Sequence, residues 1–340
     1  MASRRRSMAI AISALGTILV IGLLSEVGGG TAWAISPTVN ASLTQPANPY
    51  LPGVTPGPAP THGVDQQYRR SLVVDGRTVD VFVPGDRRIS SLVGLQHPLS
   101  NTAIDIETST ARLISYGLEY RYLMFYPRST TGAWNAGGCC GVAKTSHEDD
   151  VAFLEHIIKF LRVEYRLGAD VPTIDGGISN GAMMAAELYC KRPGLLDGAV
   201  LASGNLQDAT CGYVARVQNL LMLRGDRDGT VPIGDRRRLE PLQTYYNYGL
   251  KTTMYPDAST INADERGSRC TEVVHTSIGV IDRVIRCGGR RINYVEQQRG
   301  GHGWHSIAGP GTVDESSRAA GFINDISLRL RRAFAAAHAG

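Results

Sequence analysis

Apolar and polar residues alternate along residues 68–74 and again along 77–84, and the two runs meet at Asp75-Gly76. A period of two puts every second side chain on one face of a strand. Asp-Gly between two such runs is the strongest short signal for a hairpin. Residues 91–96 then form a nearly continuous apolar run, the pattern of a strand buried on both faces. A helix is expected over 109–120 and a strand over 121–127. Ser146 and Asp149 have the spacing of a capping box, and Val151, Leu154, Ile157, Ile158 and Leu161 follow at helical intervals. Further strands are expected at 171–177, 219–224 and 291–296. Two antiparallel leading strands followed by strand–helix alternation imply an α/β fold with a mostly parallel mixed sheet and helices on both faces.

Chemistry enters where the strand at 171–177 ends. Gly177-Ile178-Ser179-Asn180-Gly181 fits G-x-S-x-G, the sharp strand-to-helix turn that lifts a nucleophilic serine above an α/β-hydrolase sheet. A strand-forming run precedes it, strong helix formers follow over 182–190, and Pro193 stands beyond them as a stop signal. A chance glycine-rich turn is the bland alternative, and this strand–turn–helix context weighs against it. In such folds the acid and then the histidine follow the serine in the chain.

The apolar run 219–224 opens into Gly225-Asp226-Arg227-Asp228-Gly229, which puts an acid at the carboxyl edge of the sheet. Asp228 lies deeper in that loop and is the preferred acid. Asp226 is the alternative, more readily read as a turn cap bonding backbone two residues on. The run 291–296 leads into Arg299-Gly300-Gly301-His302-Gly303-Trp304. His302, flanked by glycines, is preferred as the base over His305. Met183 and Met184 are expected to pack against the sheet.

Several blocks together resemble the secreted polyhydroxybutyrate depolymerase and feruloyl esterase family. They are Ser179 to Met184, Trp134-Asn135-Ala136-Gly137 with Cys139-Cys140-Gly141, Asp149 to Phe153, and Gly301-His302 with Trp304. The resemblance runs from about Tyr68 to the C-terminus and implies hydrolysis of carboxylic esters. The esters range from short polyester chains through acetylated or feruloylated plant polysaccharides to small aryl and acyl esters. It carries over Ser179 as nucleophile, Asp228 as acid and His302 as base.

The sequence departs from the family at His97-Pro98, where His-Gly is usual, and at Gly303-Trp304-His305, where Thr-Trp-Pro is usual. Pro98 has no N–H. The oxyanion donors are therefore expected to be the backbone N–H groups of Leu99 and Asn180. With the residue before a proline held extended, the His97 imidazole is expected to turn inward as a loop anchor. Trp134 is a candidate for lining the substrate pocket, with core packing as the alternative. Chemistry of this kind needs no metal or organic cofactor.

The N-terminus bears on where the protein works. Arg4-Arg5-Arg6, an apolar run from Met8 to Leu24 and Ala32-Trp33-Ala34 make a secretory signal over residues 1–34, with cleavage expected after Ala34. An uncleaved signal anchor, the one route to a membrane partner, is the alternative. The expected location is extracellular or in the cell envelope. Residues 35–64 are rich in Pro, Gly, Ala, Ser and Thr and are expected to be a disordered linker. Residues 65–340 are then one catalytic domain.

Six cysteines (Cys139, Cys140, Cys190, Cys211, Cys270 and Cys287) follow the leader, an even number suited to disulfides outside the cell. Cys270 and Cys287 are expected to bracket a hairpin-like excursion and pair. The other four are expected to tie the loop before the nucleophile to elements after it. Zinc binding is a poor alternative because no Cys-x-x-Cys spacing occurs.

The formal net charge of +4 drops to +2 on loss of three leader arginines and one glutamate. That is too little, and too scattered, for nucleic acid. The expected partner is an ester substrate. Two readings of other classes remain beside the esterase: a catalytically silent envelope binding protein on the same fold, and an envelope acyltransferase.

Overall fold

The structure, a computed structural model, describes residues 54–56, 66–85, 88–204, 206–207, 219–231, 270–287, 290–305 and 313–339. All belong to one compact unit, Ala47–Gly340. The leader, most of the expected linker and Cys211 lie outside the described residues.

The strands are β1 (Val54–Pro56), β2 (Arg69–Val74), β3 (Arg77–Phe82), β4 (Ser91–Gln96), β5 (Tyr122–Pro127), β6 (Thr173–Ile178), β7 (Gly198–Ala202), β8 (Asn219–Gly225), β9 (Cys270–Ser277), β10 (Val280–Cys287) and β11 (Arg290–Gln297). Among the described residues they form one sheet in the order β1-β2-β3-β5-β4-β6-β7-β8-β11-β10-β9. The centre, β5-β4-β6-β7-β8-β11, is parallel. Antiparallel strands flank it on both sides. The carboxyl ends of β4, β6, β7, β8 and β11 therefore share one edge, where ligands bind in open α/β sheets. This strand order, with a serine turn after β6, is an α/β-hydrolase fold.

Helices α1 (Ala103–Ser109), α2 (Ala111–Tyr120), α3 (Gly141–Thr145), α4 (Asp150–Glu164), α5 (Asn180–Lys191) and α6 (Glu315–Ala337) cover the sheet. Leu220 and Met222 of β8 pack with the apolar residues of α4 and α5. Leu221 and Leu223 pack on the other face with those of α1, α2 and α6. Each such Leu or Met buried from water stabilises by roughly 1.5–3 kcal/mol. Unbroken apolar strands are what a sheet covered on both faces demands.

The structure departs from expectation in a few places. Val54–Pro56, assigned to the linker, pair with Leu72–Val74 as an edge strand. β2 offers an open row of backbone groups, and a proline is tolerated only at such an edge. The helix expected over 109–120 begins earlier as α1 and breaks at Thr110. The Thr110 hydroxyl bonds back to the Ile106 carbonyl at 2.7 Å and meets the Tyr126 hydroxyl at 3.1 Å. The capping box expected at Ser146 is not used, because Ser146 closes α3 and α4 is capped by Asp149, which accepts from the Ala152 N–H at 3.0 Å.

Asp175, inside β6, is fully buried and accepts from the Gln96 side-chain amide at 2.8 Å. Burial pushes its carboxyl up from 3.8 to about 7. Between those values the folded chain keeps a proton that the unfolded chain has lost, so stability falls as pH rises through that window. Asp175→Asn is expected to remove this slope and to stabilise the protein at about pH 9, by on the order of 4 kcal/mol at most. The gain at about pH 4 is expected to be negligible. Urea unfolding at both pH values checks it. Glu107, pushed by burial to about 8 against the pull of Arg69, leaves a residual slope of the same sign.

Candidate active site

Ser179 stands where β6 turns into α5, with φ 54° and ψ −119°. That backbone region is sparsely populated by residues bearing a Cβ, and it marks a turn held by its surroundings. The Ser179 N–H donates to the Ala202 carbonyl at 2.9 Å. The flanking glycines are required by close approach. A Cβ on Gly177 would come within 2.6 Å of the Gly181 carbonyl carbon, and one on Gly181 would overlap the Gln96 carbonyl. As the first residue of α5, Asn180 has no carbonyl four residues back for its own N–H.

The Asn180 side chain grips Trp134 on both sides. Its oxygen accepts from the Trp134 N–H at 2.7 Å, and its amide donates to the Trp134 carbonyl at 3.0 Å. Trp134 is fully buried, and its indole N–H donates to the His97 carbonyl at 3.0 Å. This corrects the pocket-lining candidate, since an indole with no exposed surface braces the loop after β4 rather than meeting substrate. Three of the blocks that carried the resemblance meet here. The Asn135 N–H donates to Asp150 at 2.7 Å, Asp150 pairs with Arg77, and the Cys140 N–H donates to the Trp134 carbonyl at 3.1 Å.

His97 is 1% exposed. It accepts from the Ser129 N–H at Nε2, 3.2 Å away, so its proton sits on Nδ1 and is donated to the Pro98 carbonyl at 2.8 Å. Burial holds its pKa below the ordinary value, consistent with a neutral ring. The imidazole does turn inward, and it fixes the stretch that carries Leu99. Leu99 is half exposed, and among the described residues its N–H donates to no main-chain carbonyl.

Asp228 and His302 are brought together. His302 Nδ1 lies 2.8 Å from Oδ2 and 3.0 Å from Oδ1 of Asp228. Oδ1 of Asp228 also accepts from the N–H groups of Thr230, 2.9 Å away, and Val231, 2.8 Å away. Burial raises this carboxyl, but the bonds from His302, Val231 and Thr230 together outweigh it, and its pKa stands below the ordinary value. The roles foreseen for the two acids differ at one point. Asp228, not Asp226, makes the bond to backbone two residues on. Asp226 reaches across to accept from the Arg299 N–H. The Asp226 N–H in turn donates to the Gln297 carbonyl, and that of Arg227 to the Gly300 carbonyl, so the loops carrying Asp228 and His302 are stitched together.

His305, the alternative base, is engaged elsewhere. Its Nδ1 meets Glu315 at 3.1 Å, and its N–H donates to the same carboxyl at 2.8 Å. The bond to Glu315 raises the His305 pKa. The Trp304 indole N–H donates to the Ser316 hydroxyl at 3.0 Å, so the start of α6 anchors the end of the base loop. Ser203, after β7, bonds Gly303 beside His302. Glu315 and Ser203 carry no motif and were invisible in the sequence; the Asp314-Glu315 pair ahead of a helical run was the only available sign of a helix start.

The cysteine expectation is corrected in part. Cys139 and Cys140 are bonded to each other across a cis peptide, so they do not reach to later elements. Cys190 is disulfide-bonded. Cys287 stands opposite Cys270 in the β9–β10 register.

No family model matches the chain, and no curated protein matches it. Solved structures similar in fold include an acetyl xylan esterase from Aspergillus awamori, 14% identical, with a TM-score of 0.48 over 72% of this chain and 94% of that one. The esterase PE8 is 18% identical, with a TM-score of 0.44 over 72% and 97%. A predicted CIB-like hydrolase from Thermoplasma acidophilum is 17% identical, with a TM-score of 0.40 over 78% and 97%. These are likenesses of fold at low identity and low score, and they assign no substrate.

Proposed function

We propose that this chain is a serine esterase that hydrolyses carboxylic esters outside the cell. The observation that carries the reading is the imidazole–carboxylate pair of His302 and Asp228, set on loops at the same sheet edge as the strained Ser179 turn. His302 takes the proton from Ser179 as the hydroxyl attacks the ester carbonyl. Asp228 holds the proton on Nδ1, leaving Nε2 free to act as base, and stabilises the imidazolium that forms. The N–H groups of Leu99 and Asn180 receive the oxyanion, each worth roughly 3 kcal/mol in a dry site. The alcohol leaves with the proton held by His302, and water, activated the same way, releases the acyl group from Ser179.

Export rests on the basic, apolar and Ala-x-Ala run of residues 1–34. The substrate class is the one implied by the resemblance: polyester, feruloylated or acetylated polysaccharide, or small acyl ester. Assay of the exported protein on p-nitrophenyl acetate and butyrate, then on polyhydroxybutyrate, methyl ferulate and acetylated xylan, tests it. Turnover on one or more is expected, and none above buffer on all five would contradict the reading.

Pro98 bears on the oxyanion donors. Its ring fixes the backbone beside Leu99, and its carbonyl is held by His97. Pro98→Gly frees that backbone, so kcat is expected to fall up to about tenfold with KM changing less. Steady-state kinetics checks this. A kcat unchanged or raised would show that the proline does not organise the donor.

A further inference from the structure

Ser203 follows β7 with φ 49° and is 1% exposed. Its N–H is tied to the Leu223 carbonyl of β8 at 2.9 Å. Its hydroxyl makes two bonds to the residue after His302, donating to the Gly303 carbonyl at 3.2 Å and accepting from the Gly303 N–H at 3.0 Å. The next residue, Gly204, lies against the nucleophile turn. A Cβ there would overlap the Ser179 carbonyl and come within 2.7 Å of the Ala182 Cβ.

The Gly204 carbonyl accepts from Nη1 of Arg224 at 3.3 Å, and Nη2 of the same guanidinium donates to the Val231 carbonyl at 2.7 Å. Val231 is the residue whose N–H holds Asp228. Two consecutive residues thus touch the base loop and the nucleophile turn and, through Arg224, reach the acid loop.

Arg224 is 1% exposed, and both of its hydrogen bonds go to main-chain carbonyls. A buried guanidinium is a poor way to fill volume in a core, where an apolar side chain of similar size serves as well or better. What a guanidinium adds is a rigid planar fork that fixes two acceptors at a set separation. We infer that Ser203 and Arg224 are positioning residues, a common brace that sets Ser179, Asp228 and His302 relative to one another. The inference rests on the esterase reading of those three residues.

The test compares the exported wild-type protein with Ser203→Ala, Arg224→Lys and the double variant. Ser203→Ala is expected to lower kcat about tenfold with KM nearly unchanged, because a small displacement of the base acts on the transition state more than on binding. Arg224→Lys, which reaches only one of the two carbonyls, is expected to do the same. The double variant is expected to fall less than the product of the two, since both act through one brace.

Proton NMR supplies a readout that does not need turnover. The downfield resonance of the His302 Nδ1 proton, bonded to Asp228, is expected to shift or broaden in Ser203→Ala. If Arg224→Lys does not fold, Ser203→Ala alone decides. A Ser203→Ala protein with unchanged kcat and an unmoved resonance would overturn the brace while leaving the triad intact. Hydrolysis undiminished in Ser179→Ala would instead overturn the triad reading itself.

Discussion

Ser179→Ala is expected to lower ester hydrolysis by on the order of 10⁵-fold, leaving only what the oxyanion donors and substrate binding supply. The change is nearly silent for the fold. Alanine keeps the Cβ, so the strain of φ 54° is the same, and the Ser179 N–H still bonds the Ala202 carbonyl. The lost atom is the one that forms the bond to the acyl carbon. Hydrolysis of p-nitrophenyl butyrate by wild type and variant, with thermal unfolding alongside, is the check. Equal rates in two equally folded proteins would sink the esterase account.

Asp228→Asn is expected to lower kcat by on the order of 10⁴-fold, and the reason lies in the donors around the carboxyl. Oδ1 faces the N–H groups of Thr230 and Val231, so the amide oxygen of an asparagine must take that side. Its NH₂ then faces Nδ1 of His302 and can only donate. The ring must offer a lone pair at Nδ1 and carry its proton on Nε2, the tautomer that cannot act as base toward Ser179. Asp226→Asn is expected to change kcat no more than a few-fold, because an amide oxygen there can still accept from the Arg299 N–H. Steady-state kinetics on both variants decides. If Asp226→Asn shows the severe loss and Asp228→Asn does not, the acid is misassigned.

The central strands were legible because burial on both faces leaves a plain signature. Runs such as 91–96 and 219–224 are apolar throughout their interiors, and the observed β4 and β8 follow them within a residue. Asp228 and His302 could be chosen over Asp226 and His305 from loop composition, and the structure pairs the two preferred residues. β7 was missed since Gly-Ala-Val-Leu-Ala is short and carries only one β-branched residue.

The place of Trp134 was left open by its sequence. An aromatic beside glycines fits a pocket or a core equally, and its full burial with the indole bonded to the His97 carbonyl decides for the core. The bond between Cys139 and Cys140 was not foreseen, as spacing cannot choose among the 15 pairings that six cysteines allow. Ser203, Arg224 and Glu315 act through bonds to groups on other loops, between 7 and 100 residues away in the chain, and no local pattern announces such partners.

The central claim is that Ser179 is the covalent nucleophile. An aryl or alkyl fluorophosphonate reacts with a serine activated by a neighbouring base and stays on it. Mass spectrometry of the labelled, digested exported protein therefore reads the claim directly. The account predicts a single adduct on the peptide containing Ser179, its absence in Ser179→Ala, and much slower labelling in Asp228→Asn. An ester-hydrolysing protein that takes up no label, or that carries it on another residue, would contradict the account.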